Sequence, residues 1–351
     1  MSSTFAYSGL TTKIRAMHGK LITDKEYSLL SSLTSVTEVI QFLQKHPAYC
    51  DTLPANTDEE FYHRGRLERQ LTISLYNDFA KIYNFASLSQ RKYMQLYFLT
   101  YETRFLKQLF RELTNDGEIV SDFSALAPFY EQFSSIDFEK VIHSSSTDDL
   151  IDNLRDTKYH EPLSRISDIQ NPTLFDYELC LDLYRYTVFW KKKGKYLSGT
   201  DLKVTTEAYG FMIDLLNIQW ILRCHKYYNM TASQIYAMVI PINHHLKFAD
   251  LKALIEADSI SDFFEILKST RYGSYISEDS DNMIEKYFEA LMLKQNKKLF
   301  RNSPYSLACV NTYLYLREIE IEKIIKITEC IRYSYSSDVI LKIISTDTEI
   351  Y

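Results

Sequence analysis

The chain has 351 residues, 46% of them apolar, a formal net charge of −6 and five cysteines. That length and apolar content allow sizeable cores, while the slight acidity gives no general attraction to nucleic acid or to anionic lipid, so no nucleic-acid partner is expected. The cysteines (Cys50, Cys180, Cys224, Cys309, Cys330) are scattered and form no CxxC pair, which fits a reducing compartment rather than a disulfide framework.

At the N-terminus, Met1-Ser2-Ser3-Thr4-Phe5 lacks the basic start and apolar run of a signal peptide, so a cytoplasmic location is expected. Glycine and proline are scarce, at 8 and 7 residues. Four tracts nearly free of both predict long helices: Asp58 to Ala86, Ser89 to Leu113, Asp201 to Tyr228 and Ser306 to Tyr333. Strand-like alternation is nearly absent, so the expected fold class is all-α. The longest apolar stretch, Tyr236 to Ile242, contains Pro241 and falls far short of the roughly 20 residues of a membrane-spanning helix, so no transmembrane segment is predicted.

Between the long tracts one phrase occurs three times, about 110 residues apart. Ser35-Val36-Thr37-Glu38-Val39-Ile40 reaches Leu43, Ser146-Thr147-Asp148-Asp149-Leu150-Ile151 reaches Leu154, and Ser259-Ile260-Ser261-Asp262-Phe263-Phe264 reaches Leu267. Each predicts a helix start, with the serine hydroxyl accepting from the third helical N–H and the carboxylate of Glu38, Asp149 or Asp262 reaching back to the serine N–H.

A second phrase has the same period. Glu102, Asp214 and Glu320 each follow a tyrosine (Tyr97, Tyr209, Tyr315) by five residues and precede a branched apolar residue (Leu106, Ile218, Ile324) by four. A weaker mark, Glu68, Glu178 and Glu285, is expected to precede a long helical run in each copy. The two main phrases predict a triplicated helical unit, with repeats at residues 1–115, 116–228 and 229–351. On a helix, positions 0, +4 and +7 lie within roughly 60° of one another, so each of the three carboxylates lines up with an apolar stripe. Two readings follow: a polar inner wall that receives a partner, or buried acceptors that join helices inside each repeat. Repetition favours the second, because a feature present in every copy belongs first to the repeat's own fold.

Catalytic patterns are missing. Gly194-Lys195-Tyr196-Leu197-Ser198-Gly199-Thr200-Asp201 imitates a phosphate-binding loop but has Thr200 where the lysine belongs, and reads as a turn. No GxGxxG, GxSxG or HExxH occurs. Adjacent His244 and His245 cannot both face one helix-mounted metal, which needs i,i+3 or i,i+4 spacing, so they are expected as a surface loop pair. Lys191-Lys192-Lys193 with Lys195, beside Trp190 and Tyr196, reads as the solvated end of a helix complementing its dipole. No catalytic residue, cofactor or metal is predicted, and with no His, Cys or phosphate pattern beside the carboxylates an enzyme is disfavoured.

At these residues the chain resembles the C-subunit family of the V-type (A/V-type) rotary ATPases, whose eukaryotic relative is called the d subunit. Phe5-Ala6-Tyr7, then Lys13-Ile14-Arg15-Ala16-Met17 and Leu21, is similar to the family's opening. Asn302-Ser303-Pro304-Tyr305-Ser306, then Tyr313, Glu318, Glu320 and Ile324, is similar to its Asn-x-Pro element followed by a helix carrying glutamates. In the middle repeat Asp214-Leu215-Leu216-Asn217-Ile218 with Arg223 is similar to an Asp-x-x-Asn-Leu pattern with a later arginine, and Glu102 with Arg111 gives the first repeat's version. Departures are Lys323 and Glu329 where Asn and Arg are usual, and Asn243-His244 in place of a glycine after Ile240-Pro241.

The resemblance implies an all-helical funnel of three similar domains around a pseudo-threefold axis. It would sit on the cytoplasmic face of the membrane, bind the membrane rotor ring and the central shaft subunits (D and F type), and transmit torque without catalysing anything. The alternative is a cytoplasmic helical-repeat adaptor for an unrelated protein. The loops Ala48 to Asp58 and Tyr159 to Pro172 are candidate meeting points for a partner.

Overall fold

A computed structural model describes residues 3–53, 64–167, 169–273 and 284–345. Among these residues the chain is helical and contains no strand. In chain order the helices are α1 Ser3–His18, α2 Asp24–Ser31, α3 Val36–Lys45, α4 Arg64–Phe85, α5 Leu88–Asn115, α6 Ala127–Phe133, α7 Phe138–Ile142, α8 Thr147–Asn153, α9 His160–Ser167, α10 Leu174–Tyr196, α11 Gly199–Arg223, α12 Ala232–Met238, α13 Phe248–Ile255, α14 Ile260–Ser269, α15 Ile284–Asn302, α16 Ala308–Arg332 and α17 Ser337–Ile344. An order of short helices followed by two long ones therefore occurs three times: α1–α5, α6–α11 and α12–α16.

The four glycine- and proline-poor tracts correspond to α4, α5, α11 and α16. Residues 58–63 of the first tract lie outside the described residues. The third tract stops being α-helical at Arg223 and widens into a π-turn over Cys224–Tyr228, closed by Asn229 in the left-handed region at φ 45°. Long helices α10 and α15 were not among the predicted tracts. Glu68, Glu178 and Glu285 lie in α4, α10 and α15, each ahead of the next long helix, α5, α11 or α16, and the Glu285 side chain is outside the described residues. Tyr159 to Pro172 is not simply a loop, since α9 occupies most of it, and residues 54–58 of the Ala48–Asp58 segment fall outside the description.

The helix starts follow the serine phrases. Ser35 accepts from the Glu38 N–H and Glu38 reaches back to the Ser35 N–H at 3.3 Å, a reciprocal cap on α3. Ser146 accepts from the Asp149 N–H at 3.1 Å, while Asp149 turns its carboxylate to the preceding Ser145 N–H at 2.8 Å. Ser259 accepts from the Asp262 N–H at 3.1 Å, and its hydroxyl donates to the Asp262 carboxylate at 2.7 Å. Behind each cap the apolar pair and leucine are buried: Val39, Ile40 and Leu43; Leu150, Ile151 and Leu154; Phe263, Phe264 and Leu267. Full burial of such side chains contributes about 1.5–3 kcal/mol each.

The chain forms two compact units, Met1–Ser87 with Glu285–Tyr351, and Leu88–Ile284. In the first, α16 packs on α1, α3, α4 and α17, and α17 also packs on α2. Leu30, Leu71, Phe79, Ile82, Leu314, Ile324 and Ile327 are all buried in this unit. In the second unit α5 packs on α10, and α10 on α9 and α11. Aromatic stacking marks the α5–α10 seam, Phe110 on Tyr177 at 4.5 Å between centroids, and also joins α5 to α7, Phe105 on Phe138 at 5.1 Å. No described helix is long and apolar enough to cross a membrane.

Candidate functional site

Glu102 on α5, Asp214 on α11 and Glu320 on α16 lie in the middle of long helices, and they are 1%, 0% and 3% exposed. A carboxylate taken so far from water must collect donors or lose its charge. Glu102 accepts from the Ser134 hydroxyl at 2.6 Å, the Tyr159 hydroxyl at 2.7 Å and the Lys158 ammonium at 2.5 Å. Asp214 accepts from three successive backbone N–H groups, those of His244, His245 and Leu246, at 3.3, 2.7 and 2.9 Å, and from the Tyr272 hydroxyl at 2.8 Å. Glu320 accepts from the Ile22 N–H at 2.6 Å, from the Tyr49 hydroxyl at 2.7 Å and from the Arg317 guanidinium.

The three arrangements share one plan. A long helix offers a carboxylate, and a segment of short helices supplies a tyrosine hydroxyl and a second donor. Burial and the neighbouring carboxylate raise each of these tyrosines, Tyr49, Tyr159 and Tyr272, above the ordinary phenol value, so all three stay protonated donors. Sequence reasoning did not single them out, although their spacing of 110 and then 113 residues repeats the period of the other phrases.

Arg317 was also missed. It is fully buried one helical turn before Glu320, and its guanidinium donates to Asp78 on α4 at 3.0 Å and to the Ser74 hydroxyl at 2.9 Å as well as to Tyr49 and Glu320. Asp78 further accepts from the Tyr313 hydroxyl at 2.7 Å. An opposite-charge pair at i,i+3 on a long helix was the available signal. The same positions in the other copies are Leu99 and Phe211, so this ion network is private to α16.

Asn217 makes a reciprocal pair with the backbone of Ile240, accepting from its N–H at 2.8 Å and donating to its carbonyl at 2.9 Å. Arg111 is half-exposed and pairs with Glu178 at 2.6 Å. Arg223 is in the last turn of α11, and Glu318 is half-buried on α16. His244 and His245 occupy a loop rather than a helix, and the spacing argument against a shared partner does not hold there. Both Nε2 atoms converge on Glu207, at 3.0 and 3.1 Å. The His244 hydrogen bond, followed by that of His245, holds the Glu207 carboxyl down to about 2 against the opposing effect of burial.

Residues 10–343 match the family described as ATP synthase (C/AC39) subunit. The chain belongs to this family. It is 25% identical to the C subunit of the A-type ATP synthase of Methanosphaera stadtmanae over 91% of this chain and 82% of that one. The corresponding values for the A-type ATP synthase C subunit of Pyrococcus horikoshii are 26%, 91% and 84%, and for that of Methanocaldococcus jannaschii 21%, 91% and 81%.

As a member of the C/AC39 family the chain is a non-catalytic, accessory ATPase subunit. Its residues read accordingly. Of the segment that imitates a phosphate loop, Gly194 to Tyr196 end α10 and Gly199 to Asp201 begin α11, so only Leu197 and Ser198 form the turn, with Gly199 at φ 54°. Lys193 and Lys195 close α10, and the Lys193 ammonium lies 3.7 Å over the Trp190 ring. The Asn302-Ser303-Pro304 element joins α15 to α16, and the Pro304 carbonyl accepts from the Thr11 hydroxyl of α1 at 3.2 Å.

Proposed function

We propose that this protein couples the central shaft of a V-type (A/V-type) ATPase to its membrane rotor ring, passing torque between ATP hydrolysis or synthesis in the head and proton or sodium transport at the ring. The observation that carries the reading is the family match over residues 10–343, which takes in all three copies of the buried carboxylate. In this reading repeats 1–115, 116–228 and 229–351 are three similar domains around a pseudo-threefold axis. Together they form a funnel that seats on the ring at the cytoplasmic face and accepts the foot of the D- and F-type shaft subunits.

The physics of the chain supports that office. A torque-bearing part has to resist shear, and close-packed helices deform little. Buried charged hydrogen bonds between a long helix and the short-helix segment add fixed points against sliding. No described helix is long and apolar enough to cross a membrane, and in this reading the ring is met through polar loops. To hold without slipping, each contact buries more than about 1,000 Å².

The test is size-exclusion chromatography of the purified chain with the detergent-solubilised ring, with and without the shaft subunits, at low and high salt. Co-elution strengthened by the shaft and weakened by salt is expected. Failure to bind either partner under every condition would overturn the reading and bring forward the helical-repeat adaptor.

A further inference from the structure

Glu207 lies two helical turns before Asp214 on α11, and so on the same face of the helix. The backbone N–H groups of His244, His245 and Leu246 close on Asp214, and Asn217 clasps Ile240 at the start of the same loop. Both imidazoles are thereby laid along the helix towards Glu207. Room for this comes from Gly210: a Cβ there would stand 2.3 Å from the His244 ring. One ligand atom from each of Glu207, His244 and His245 lies within 4.8 Å of the other two, and the Nε2 atoms are 3.0 and 3.1 Å from the carboxylate. Ligands held about 2.0–2.1 Å from a tetrahedral zinc ion stand roughly 3.3 Å apart, which is close to this spacing.

A further neighbour is Arg271, whose Nη1 is 2.6 Å from His245 Nε2 and whose Nη2 is 3.7 Å from Glu207. This leaves a conflict at His245 Nε2. Arginine has only hydrogens to offer and the carboxylate only lone pairs, so in either neutral tautomer one of the two contacts is repulsive. A cation in place of the guanidinium removes the conflict, with both rings ligating through Nε2 and carrying their protons on Nδ1. The Arg271 side chain is 48% exposed, so it has room to swing away into solvent.

The cluster is not demanded by the repeat. The residues seven and four positions before the other two carboxylates are Gln95 and Phe98, and Tyr313 and Leu316. Only α11 combines a carboxylate with the glycine that lets a ring approach. We infer that Glu207, His244 and His245 form a divalent-metal site of the His₂Glu kind, suited to zinc or a similar borderline cation, with solvent in the open position and Arg271 as the competing charge. Such an ion pins the 243–246 loop to α11 at a second point besides Asp214.

The test titrates the purified full chain with Zn²⁺ by calorimetry and with Co²⁺ by visible absorption. One ion per chain and the d–d bands of a tetrahedral cobalt site are expected. H244Q/H245Q and E207Q, each first shown to melt cooperatively, should weaken binding by at least about tenfold. H143Q, at an exposed histidine just after α7, should change nothing. R271Q should tighten binding, and weaker binding in R271Q would overturn the exchange of guanidinium for metal. X-ray absorption of the wild-type zinc form needs no variant and should show two imidazole ligands. Absence of saturable binding, sulfur ligation by the free cysteines, or binding unchanged in H244Q/H245Q would overturn the site.

Discussion

Tyr49 donates its hydroxyl to Glu320 at 2.7 Å although 271 residues separate them in the chain. Glu102 and Asp214 take the corresponding hydroxyl from tyrosines 57 and 58 residues further on. A short-helix segment near the start of the chain therefore serves the last long helix as later segments serve the earlier ones. Tyr49→Phe leaves Glu320 short of one donor inside the core, and we expect a loss of about 1–3 kcal/mol. Arg317→Met removes the buried counter-charge that Asp78 and Glu320 share, with an expected loss of about 3–5 kcal/mol. Urea denaturation measures both, and equal stability of the two variants would contradict the ranking.

Glu102→Gln turns an acceptor of three donors into a group that must donate as well. Lys158 then loses its counter-charge and Tyr159 or Ser134 meets an amide N–H. The expected cost is about 3–5 kcal/mol. A melting temperature equal to that of the parent would show that Glu102 is not the acceptor its surroundings make it.

Gly210→Ala has an informative sign. In an ordinary helix interior this change stabilises by about 1 kcal/mol. Here the new methyl meets the His244 ring, so a net loss of about 1–3 kcal/mol is expected, together with loosening of the loop on Asp214. Thermal melting and hydrogen exchange at the amides of residues 244–246 check the two parts, and a gain in stability with unchanged exchange would refute it.

His46 gives a pH dependence. Burial lowers its pKa below the ordinary 6.5, with Glu26 and Glu320 pulling the other way. The ring is neutral, Nδ1 accepting from the Ala48 N–H at 3.3 Å and Nε2 facing Glu26 at 3.5 Å. The unfolded chain takes up this proton more readily than the folded one. This contribution to stability is therefore complete above the ordinary value and is lost as pH falls through the folded value. His18, lowered by burial and by Lys297, acts in the same direction. The melting temperature should fall between about pH 7.5 and about pH 5.5, and less steeply in His46→Gln. Parallel slopes for parent and variant would exclude His46 as a source.

Much of the fold was legible in local chemistry. The glycine-poor tracts announced α4, α5, α11 and α16, the serine phrases announced the starts of α3, α8 and α14, and the repeated carboxylates marked the centres of three long helices. These signals are short-range, since a cap or an apolar stripe is written within one or two turns. What pairs with a carboxylate was not legible. The donors Tyr49, Tyr159 and Tyr272 lie far from their carboxylates in sequence, and nothing near Arg317 tells its burial from that of an exposed helix charge.

The sequence by itself determined a helical chain with a threefold rhythm, because helix propensity, capping and repetition are properties of neighbouring residues, and the family rests separately on the match over residues 10–343. Only the tertiary structure decided which donors meet Glu102, Asp214 and Glu320, that Arg317 is buried with Asp78, and that His244 and His245 share Glu207. Each of those contacts depends on where a distant segment lands. Adjacent histidines that helix spacing would separate are brought to one carboxylate by a loop anchored on Asp214 and by the missing side chain of Gly210.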